Sequence, residues 1–306
     1  HLYILAFDEK TFHILTKLSL EHVTVISLND FENEELLNLK PSRTKTEYCW
    51  TCTPSIIYYV IKNYNVDCCT YIDADLFFYS NPKVLFEEMK DNSVLITEHR
   101  YSKSLDRTKL AGKYCVQFIS FKNDINGLKV LNWWRNACND WCYNRYEEGK
   151  FGDQKYLDDW TTRFEGVHVL QHLGGGMAPW NIQQYKLLSK HGNKLNFITK
   201  KEFNKFEIVF YHFHYVRFYQ KDIIDLGWFI IPEKIVDTLY AQYVKELNDS
   251  ENTIKVADSE FSVNILNFKI DKDSNIKNKI KFLFKLLTRF NLYNKKKFLK
   301  INGIYN

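Results

Sequence analysis

The sequence predicts an α/β domain with a mostly parallel central sheet, and three observations predict it. Strand-like apolar runs alternate with helical patterns through the first 150 residues, as in βαβ architectures. With 45% hydrophobic and 16% aromatic residues, the 306-residue chain has enough apolar area for a large core. The apolar run 68–78 also carries Asp73 and Asp75 at an expected strand end, and open α/β sheets bind ligands at the carboxyl ends of their strands.

Taken in order, strands are expected at 2–7, 22–27, 68–72 and 94–97, each a short apolar run bounded by polar or turn residues. Helical spacing falls between them near 10–18, 51–63 and 83–90, the last opened by Asn81-Pro82. Residues 114–121 (YCVQFISF) read as a buried strand and 124–148 as a long helix. In that helix Leu128, Leu131, Trp134, Cys138, Trp141 and Cys142 recur at the three-and-four spacing of a core-facing stripe. Phe151-Gly152-Asp153-Gln154-Lys155 is a loop opening a short helix that ends near Trp160. Three successive glycines and a proline in 171–181 (QHLGGGMAPWN) exclude regular structure. They permit either close backbone approach to a ligand or an ordinary irregular loop. A strand at 207–210 leads into Tyr211-His212-Phe213-His214-Tyr215, whose imidazoles, two residues apart, face one side of a strand.

The first 255 residues are therefore read as one domain, followed by a polar connector and a basic amphipathic tail over 256–306. Nine Lys and Arg residues lie between 277 and 300 with no acidic residue after Asp273. The whole chain carries +5, so the remainder carries about −4. Ile280, Phe282, Leu283, Phe284, Leu286, Leu287 and Phe290 alternate with those cations, a pattern suited to an anionic membrane surface or to a terminal helix packed on its own domain. Nucleic acid is not an expected partner, because the rest of the chain is acidic and shows no binding motif. No apolar run long enough to span a bilayer and no signal-peptide pattern is present, so a cytoplasmic protein peripheral to the inner membrane face is expected. Seven cysteines suit reduced thiols better than a disulfide framework. Cys49-x-x-Cys52 with Cys138-x-x-x-Cys142 has only half the spacing of a zinc site. His1 is not a translation start and 1–7 already reads as a strand, so a preceding segment is expected.

The chemistry is carried by Asp73-Ala74-Asp75. Two carboxylates within an apolar run call for a compensating cation, and their oxygens suit Mg²⁺ or Mn²⁺. Three readings follow: a helix-capping pair, a nucleotide-sugar metal site, or a phosphatase of the haloacid dehalogenase type with Asp73 as nucleophile and Asp75 as general acid. In an apolar strand His212 alone would be a core residue, but beside an unexplained Asp pair it becomes the first candidate for a further ligand.

Five segments in order, TYIDADLFF, GKYCVQFISF, FGDQKYLDDW, HLGGGMAPWN and FYHFH, together resemble bacterial glycosyltransferases of the GT-A fold, closest to glycosyltransferase family 8, over roughly residues 1–220. The resemblance implies a Rossmann-like nucleotide-diphospho-sugar transferase domain whose first strand and helix precede His1. It implies Mn²⁺ or Mg²⁺ held by Asp73, Asp75 and His212, with His214 as fallback, against the diphosphate of a nucleotide sugar, a UDP-sugar being the first candidate. Asp153 and Gln154 become the sugar and reaction-centre pair, and Gly174, Gly175, Trp180 and Asn181 donor- or acceptor-binding residues. Transfer to a cell-surface glycan or lipid-linked acceptor with retention is implied. With inversion, Asp153 or Asp158 would act as general base. The pattern departs from the family at Cys115 and Gln117 and in lacking a K-P-W ending after His212. Phosphate contacts are then expected from Lys201, Lys205 or Arg217. The rivals are the phosphatase, whose last element Leu157-Asp158-Asp159 imitates, and a non-catalytic glycan- or nucleotide-binding protein on a degenerate fold.

Overall fold

The computed structural model describes residues 1–191, 194–262, 266 and 276–303, with backbone alone for His191, Lys277, Asn278, Phe282 and Leu286. Part of the expected connector therefore lies outside the described residues. The strands are β1 (Leu2–Ala6), β2 (Val23–Ser27), β3 (Cys68–Ile72), β4 (Leu76–Phe78), β5 (Val94–Glu98), β6 (Tyr114–Lys122) and β7 (Val167–Val169). They continue as β8 (Tyr185–His191), β9 (Lys194–Thr199), β10 (Lys205–Glu207), β11 (Phe210–His212), β12 (Arg217–Tyr219), β13 (Ile223–Asp225) and β14 (Leu292–Asn294).

The α/β character is present, but the mostly parallel sheet is not. β1 and β2 form a parallel pair, and the four-stranded sheet runs β3-β6-β5-β7 with β6 antiparallel to both neighbours and only β5 and β7 parallel. The remaining sheets, β10-β9-β8, β11-β4 and β12-β13-β14, are antiparallel. The physical reason for the correction lies in β6. Its apolar run marks burial but carries no direction, and the connection from 99 to 113 lets the chain reverse between β5 and β3.

Around this sheet the helices follow their end signals. The Lys45–Tyr64 helix starts six residues before the expected one, at a reciprocal capping box between Thr44 and Glu47. It runs through Pro54, which the expected 51–63 span also contained. The expected 124–148 helix is capped by Asp124 but ends at Asp140. There the Tyr156 hydroxyl meets the Ala137 and Trp141 carbonyls at 3.1 and 2.8 Å, and Trp141 turns extended. Trp134, Trp160, Phe121, Ile57 and Ile61 form the core between these helices and the β6 face. A second core gathers Met177, Tyr211, Phe213, Leu226, Tyr240, Val244 and Phe298.

Phe298 comes from the expected tail. That segment consists of a helix (Ile276–Thr288), β14 paired with β13, and a helix (Lys295–Ile301) whose Phe298 and Leu299 are buried. The second half of the tail is thus built into the fold. The first helix leaves Ile276, Ile280, Leu283 and Leu287 exposed, Leu287 at 80%. Among the described residues no helix is long and apolar enough to cross a membrane.

Candidate active site

The Asp73-Ala74-Asp75 turn is clamped from two directions. The Asp73 N–H donates to the Gln117 carbonyl on β6 at 3.1 Å, the Leu76 N–H closes the turn on the Asp73 carbonyl at 3.1 Å, and the Phe213 N–H donates to the Asp75 carbonyl at 2.8 Å. β11 lies antiparallel to β4 with His212 opposite Leu76, so the turn and the HFH segment are neighbours by register. Neither Asp caps a helix. The Lys83 N–H goes instead to Asn81 Oδ1 at 2.9 Å, which removes the capping reading of the motif.

His212 Nε2 lies 2.9 Å from Asp75 Oδ1 and 3.8 Å from Asp73 Oδ2. Asp75, His212 and His214 each offer a ligand atom, and these lie within 4.8 Å of one another. The fallback His214 therefore joins His212 in one group, with Asp73 at its margin. On its far side, His212 Nδ1 is 2.7 Å from Gln117 Oε1. An amide oxygen only accepts, so Nδ1 carries a proton and Nε2 of the neutral ring has its lone pair free toward the carboxylates. Oxygen and imidazole donors in this arrangement fit a divalent cation such as Mn²⁺.

Without a cation the charges are unbalanced. Burial pushes Asp73 up, the His212 charge opposes this and neighbouring Asp75 adds to it. Burial also acts to raise Asp75, but the His212 hydrogen bond and charge outweigh it and bring it down. For His212 burial favours the neutral ring, yet the Asp75 hydrogen bond and the two carboxylate charges lift it. His214 is exposed at the surface, yet desolvation by the packed groups around it and then the His212 charge bring it down to about 4; Asp75 opposes the fall and the Arg107 and Arg217 charges add to it. A proton on His212 Nε2 thus occupies the position where a cation would sit.

Asp153 belongs to the same electrostatic cluster. It is buried and raised to about 7, by burial first and by the Asp73 charge second, while Thr53 and backbone N–H groups hold its carboxylate. Gly152 before it has φ +54°, and a Cβ there would press on the Trp50 ring at 3.2 Å, so glycine is required to turn Asp153 inward. Gln154 follows, half-buried, its carbonyl accepting from the Leu157 N–H at 3.1 Å.

The glycine loop approaches the protein's own chain. A Cβ on Gly174 would lie 2.0 Å from the Glu207 carbonyl oxygen, and one on Gly175 2.6 Å from the Leu170 side chain. Asn181 is 0% exposed: its Nδ2 donates to the His99 and Gly176 carbonyls, each at 2.9 Å, and its Oδ1 accepts from the Ala178 N–H. These contacts hold Trp180, whose indole donates to the His99 carbonyl and whose ring stands edge-on to His212 and His214 at 5.2 and 5.7 Å between centroids. Trp180 stands against the two imidazoles and Asn181 fixes its loop, whereas Gly174 packs on Glu207, His172 and Val209 and Gly175 on Leu170 and Leu85.

Asp158 pairs with Lys155 at 2.7 Å and also accepts the Lys113 N–H, and Asp159 pairs with Arg163 at 2.5 Å. Both carboxylates that imitate the phosphatase motif are engaged there. Of the expected phosphate-binding cations, Arg217 acts on His214 by its charge, while Lys201 and Lys205 are exposed around β10. Sequence reasoning missed three participants: Gln117 as the partner of His212, Tyr71, whose hydroxyl donates to Asp73 at 3.0 Å, and Arg107. Gln117 lies within a recognised motif, but nothing in the run YCVQFISF shows that its side chain meets His212.

The chain is 31% identical to the uncharacterized protein YfnD of Bacillus subtilis (strain 168) over 271 residues, 86% of this chain and 84% of YfnD. It is 37% identical to the uncharacterized protein YfnF of the same organism over 222 residues, 69% of this chain and 71% of YfnF. No protein-family model matches, so the family 8 resemblance rests on its motifs. Among solved structures, a glycosyltransferase involved in the glycosylation of the major capsid of PBCV-1 superposes with TM-score 0.39 and 13% identity, covering 70% of this chain and 94% of that one. That partial likeness defines neither fold family nor activity. At the identities and coverage found with the two Bacillus proteins, the chain belongs to the family of YfnD and YfnF.

Proposed function

We propose that this member of the YfnD and YfnF family is a metal-dependent glycosyltransferase that moves a sugar from a nucleotide-sugar donor to a cell-surface glycan or its lipid-linked precursor. The observation that supports it most is the meeting of both histidines of FYHFH with the D-x-D motif in one group, with His212 Nε2 freed by Gln117. Mn²⁺ or Mg²⁺ held by Asp75, His212 and His214, with Asp73 beside them, would supply Lewis-acid stabilisation of the departing diphosphate. Arg217 and Arg107, whose charges reach His214, would bind phosphate oxygens. Trp180, 6% exposed and edge-on to both imidazoles, would bound the space beside them.

Asp153 and Gln154 would stand beneath the transferred sugar, consistent with retention through attack on the face from which the diphosphate leaves. The buried Asp153 carboxyl would serve as general base were the reaction inverting. The exposed apolar residues of the Ile276–Thr288 helix, with Lys281 exposed among them, suit an anionic membrane surface at the inner face, where a lipid-linked acceptor would be presented. Thermal-shift titration with UDP, GDP and their sugars, each with Mn²⁺ and with chelator, tests the reading. Stabilisation by one nucleotide class only with metal is the expected result; no stabilisation by any nucleotide would overturn it.

A further inference from the structure

Among its described residues the C-terminal segment gives no ligand atom to the Asp75, His212 and His214 group, yet it supports the surroundings of His214 by two routes. Lys285 is 3% exposed and ion-paired with Asp225, itself 2% exposed. Asp225 Oδ1 also accepts the Gly227 N–H at 2.8 Å, and Gly227 adopts φ +85°. A Cβ on Gly227 would come within 2.9 Å of the Tyr215 ring, so this turn lies flush against Tyr215. The Lys285 ammonium is 5.6 Å from the centroid of the same ring and 4.7 Å from that of Trp228. Tyr215 directly follows His214 and holds φ +75°, a left-handed conformation that an aromatic residue keeps only when its surroundings enforce it.

The second route runs through Asn291. Its Nδ2 donates to the Gly227 and Phe229 carbonyls at 3.2 and 2.7 Å, and the Phe229 ring packs edge-on to the His214 imidazole with 6.2 Å between centroids. Lys285 and Asn291 thus hold the 225–229 turn. The turn in its placement supports two rings, one adjoining His214 in the chain and the other touching its imidazole.

We propose that Lys285 and Asn291 are positioning residues for the metal group: docking of the C-terminal segment fixes His214 as the third ligand. This rests on the metal reading above. Supporting groups around a ligand set metal affinity by orienting that ligand, and their loss costs 10–100-fold in affinity in general.

The test is Mn²⁺ binding to the full chain, followed by the electron paramagnetic resonance of free Mn²⁺. The double variant Lys285→Met with Asp225→Asn removes the ion pair without leaving a buried unpaired charge. A Kd weaker by about tenfold is expected, with no further weakening when the same change is made in His214→Ala. Unchanged affinity in the folded double variant overturns the proposal. So does equal weakening in both backgrounds, which a general loosening of the fold would produce. Should the double variant not fold, Asn291→Ala carries the same comparison. Failure of the unaltered chain to bind Mn²⁺ overturns the metal reading itself and the positioning role with it.

Discussion

Gln117→Leu isolates the claim that His212 offers Nε2 to a cation. Gln117 is 0% exposed, and its Oε1 lies 2.7 Å from His212 Nδ1. Leucine fills nearly the same space without accepting a proton. The neutral imidazole then has two tautomers. One keeps the proton on Nδ1 and leaves it buried without a partner; the other moves it to Nε2, where Asp75 Oδ1 waits at 2.9 Å. Only the first can bind metal. An unsatisfied buried donor costs about 1–3 kcal/mol, so metal affinity should fall about 5- to 150-fold. The structure also limits the damage to the fold, because among the described residues Gln117 Nε2 has no hydrogen-bond partner to lose. Gln117→Glu keeps an acceptor for Nδ1 and should bind Mn²⁺ at least as tightly as the unaltered chain. Calorimetric titration of Mn²⁺ into the three proteins, with thermal unfolding as a check on the fold, decides the matter. Gln117→Leu binding within twofold of the unaltered chain would refute the tautomer argument and remove His212 Nε2 from the ligand set.

Asp75→Asn is expected to abolish Mn²⁺ binding and transfer while leaving circular dichroism unchanged, since Asp75 is partly exposed and its pairing with His212 is local. In chelator, the raised His212 contributes stability that is complete below the ordinary imidazole range near 6.5 and is lost as pH rises through its higher folded value; unfolding curves from pH 5 to 9 should show that decline, absent in His212→Gln. Asp153 is raised to about 7, so its ionisation opposes folding between the unfolded carboxyl range near 4 and pH 7; Asp153→Asn should stabilise the metal-free chain at pH 8 by a few kcal/mol, on the order expected for such a shift, and abolish transfer, read by denaturant titration and product assay. Asn181→Ala deletes three hydrogen bonds at a fully buried position and should destabilise by about 2–4 kcal/mol, seen as a lower unfolding midpoint. Leu287→Glu, at an 80% exposed position, should reduce sedimentation with phosphatidylglycerol vesicles without altering thermal stability; unchanged sedimentation would remove that helix face from membrane contact.

Element identity was legible where burial left a periodic trace. The β3, β5 and β6 runs and the amphipathic stripe around Trp134 and Cys138 are examples. Direction was not legible, because a continuous apolar strand such as β6 reads alike in either sense and its direction is fixed by neighbours distant in sequence. Helix ends failed for local reasons. The Thr44–Glu47 capping box began the 45–64 helix six residues before the expected start, and the Tyr156 hydroxyl stopped the 125–140 helix from outside the helix.

The site divides along a similar line. Asp73, Asp75 and the two histidines announced themselves because charged and imidazole groups are expensive in apolar runs unless something answers them. What answers them is harder to read. Gln117 sits among apolar neighbours with the alternation of any buried strand, and its role exists only because β6 brings its amide within 2.7 Å of a ring 95 residues away. Asn181 carried the opposite ambiguity: a polar residue in a glycine loop suggests ligand contact, yet its side chain is spent on the Ala178 N–H and Gly176 carbonyl of that loop and on the His99 carbonyl that also accepts from Trp180. Residues that bind can be found by the cost of burying them. Residues that orient the binders act through a single contact made in the fold, as Gln117 Oε1 does with His212 Nδ1, and nothing in the sequence marks that contact. This is why substitutions at Gln117, rather than at the aspartates alone, discriminate a working metal centre from a pair of carboxylates neutralised by a histidine proton.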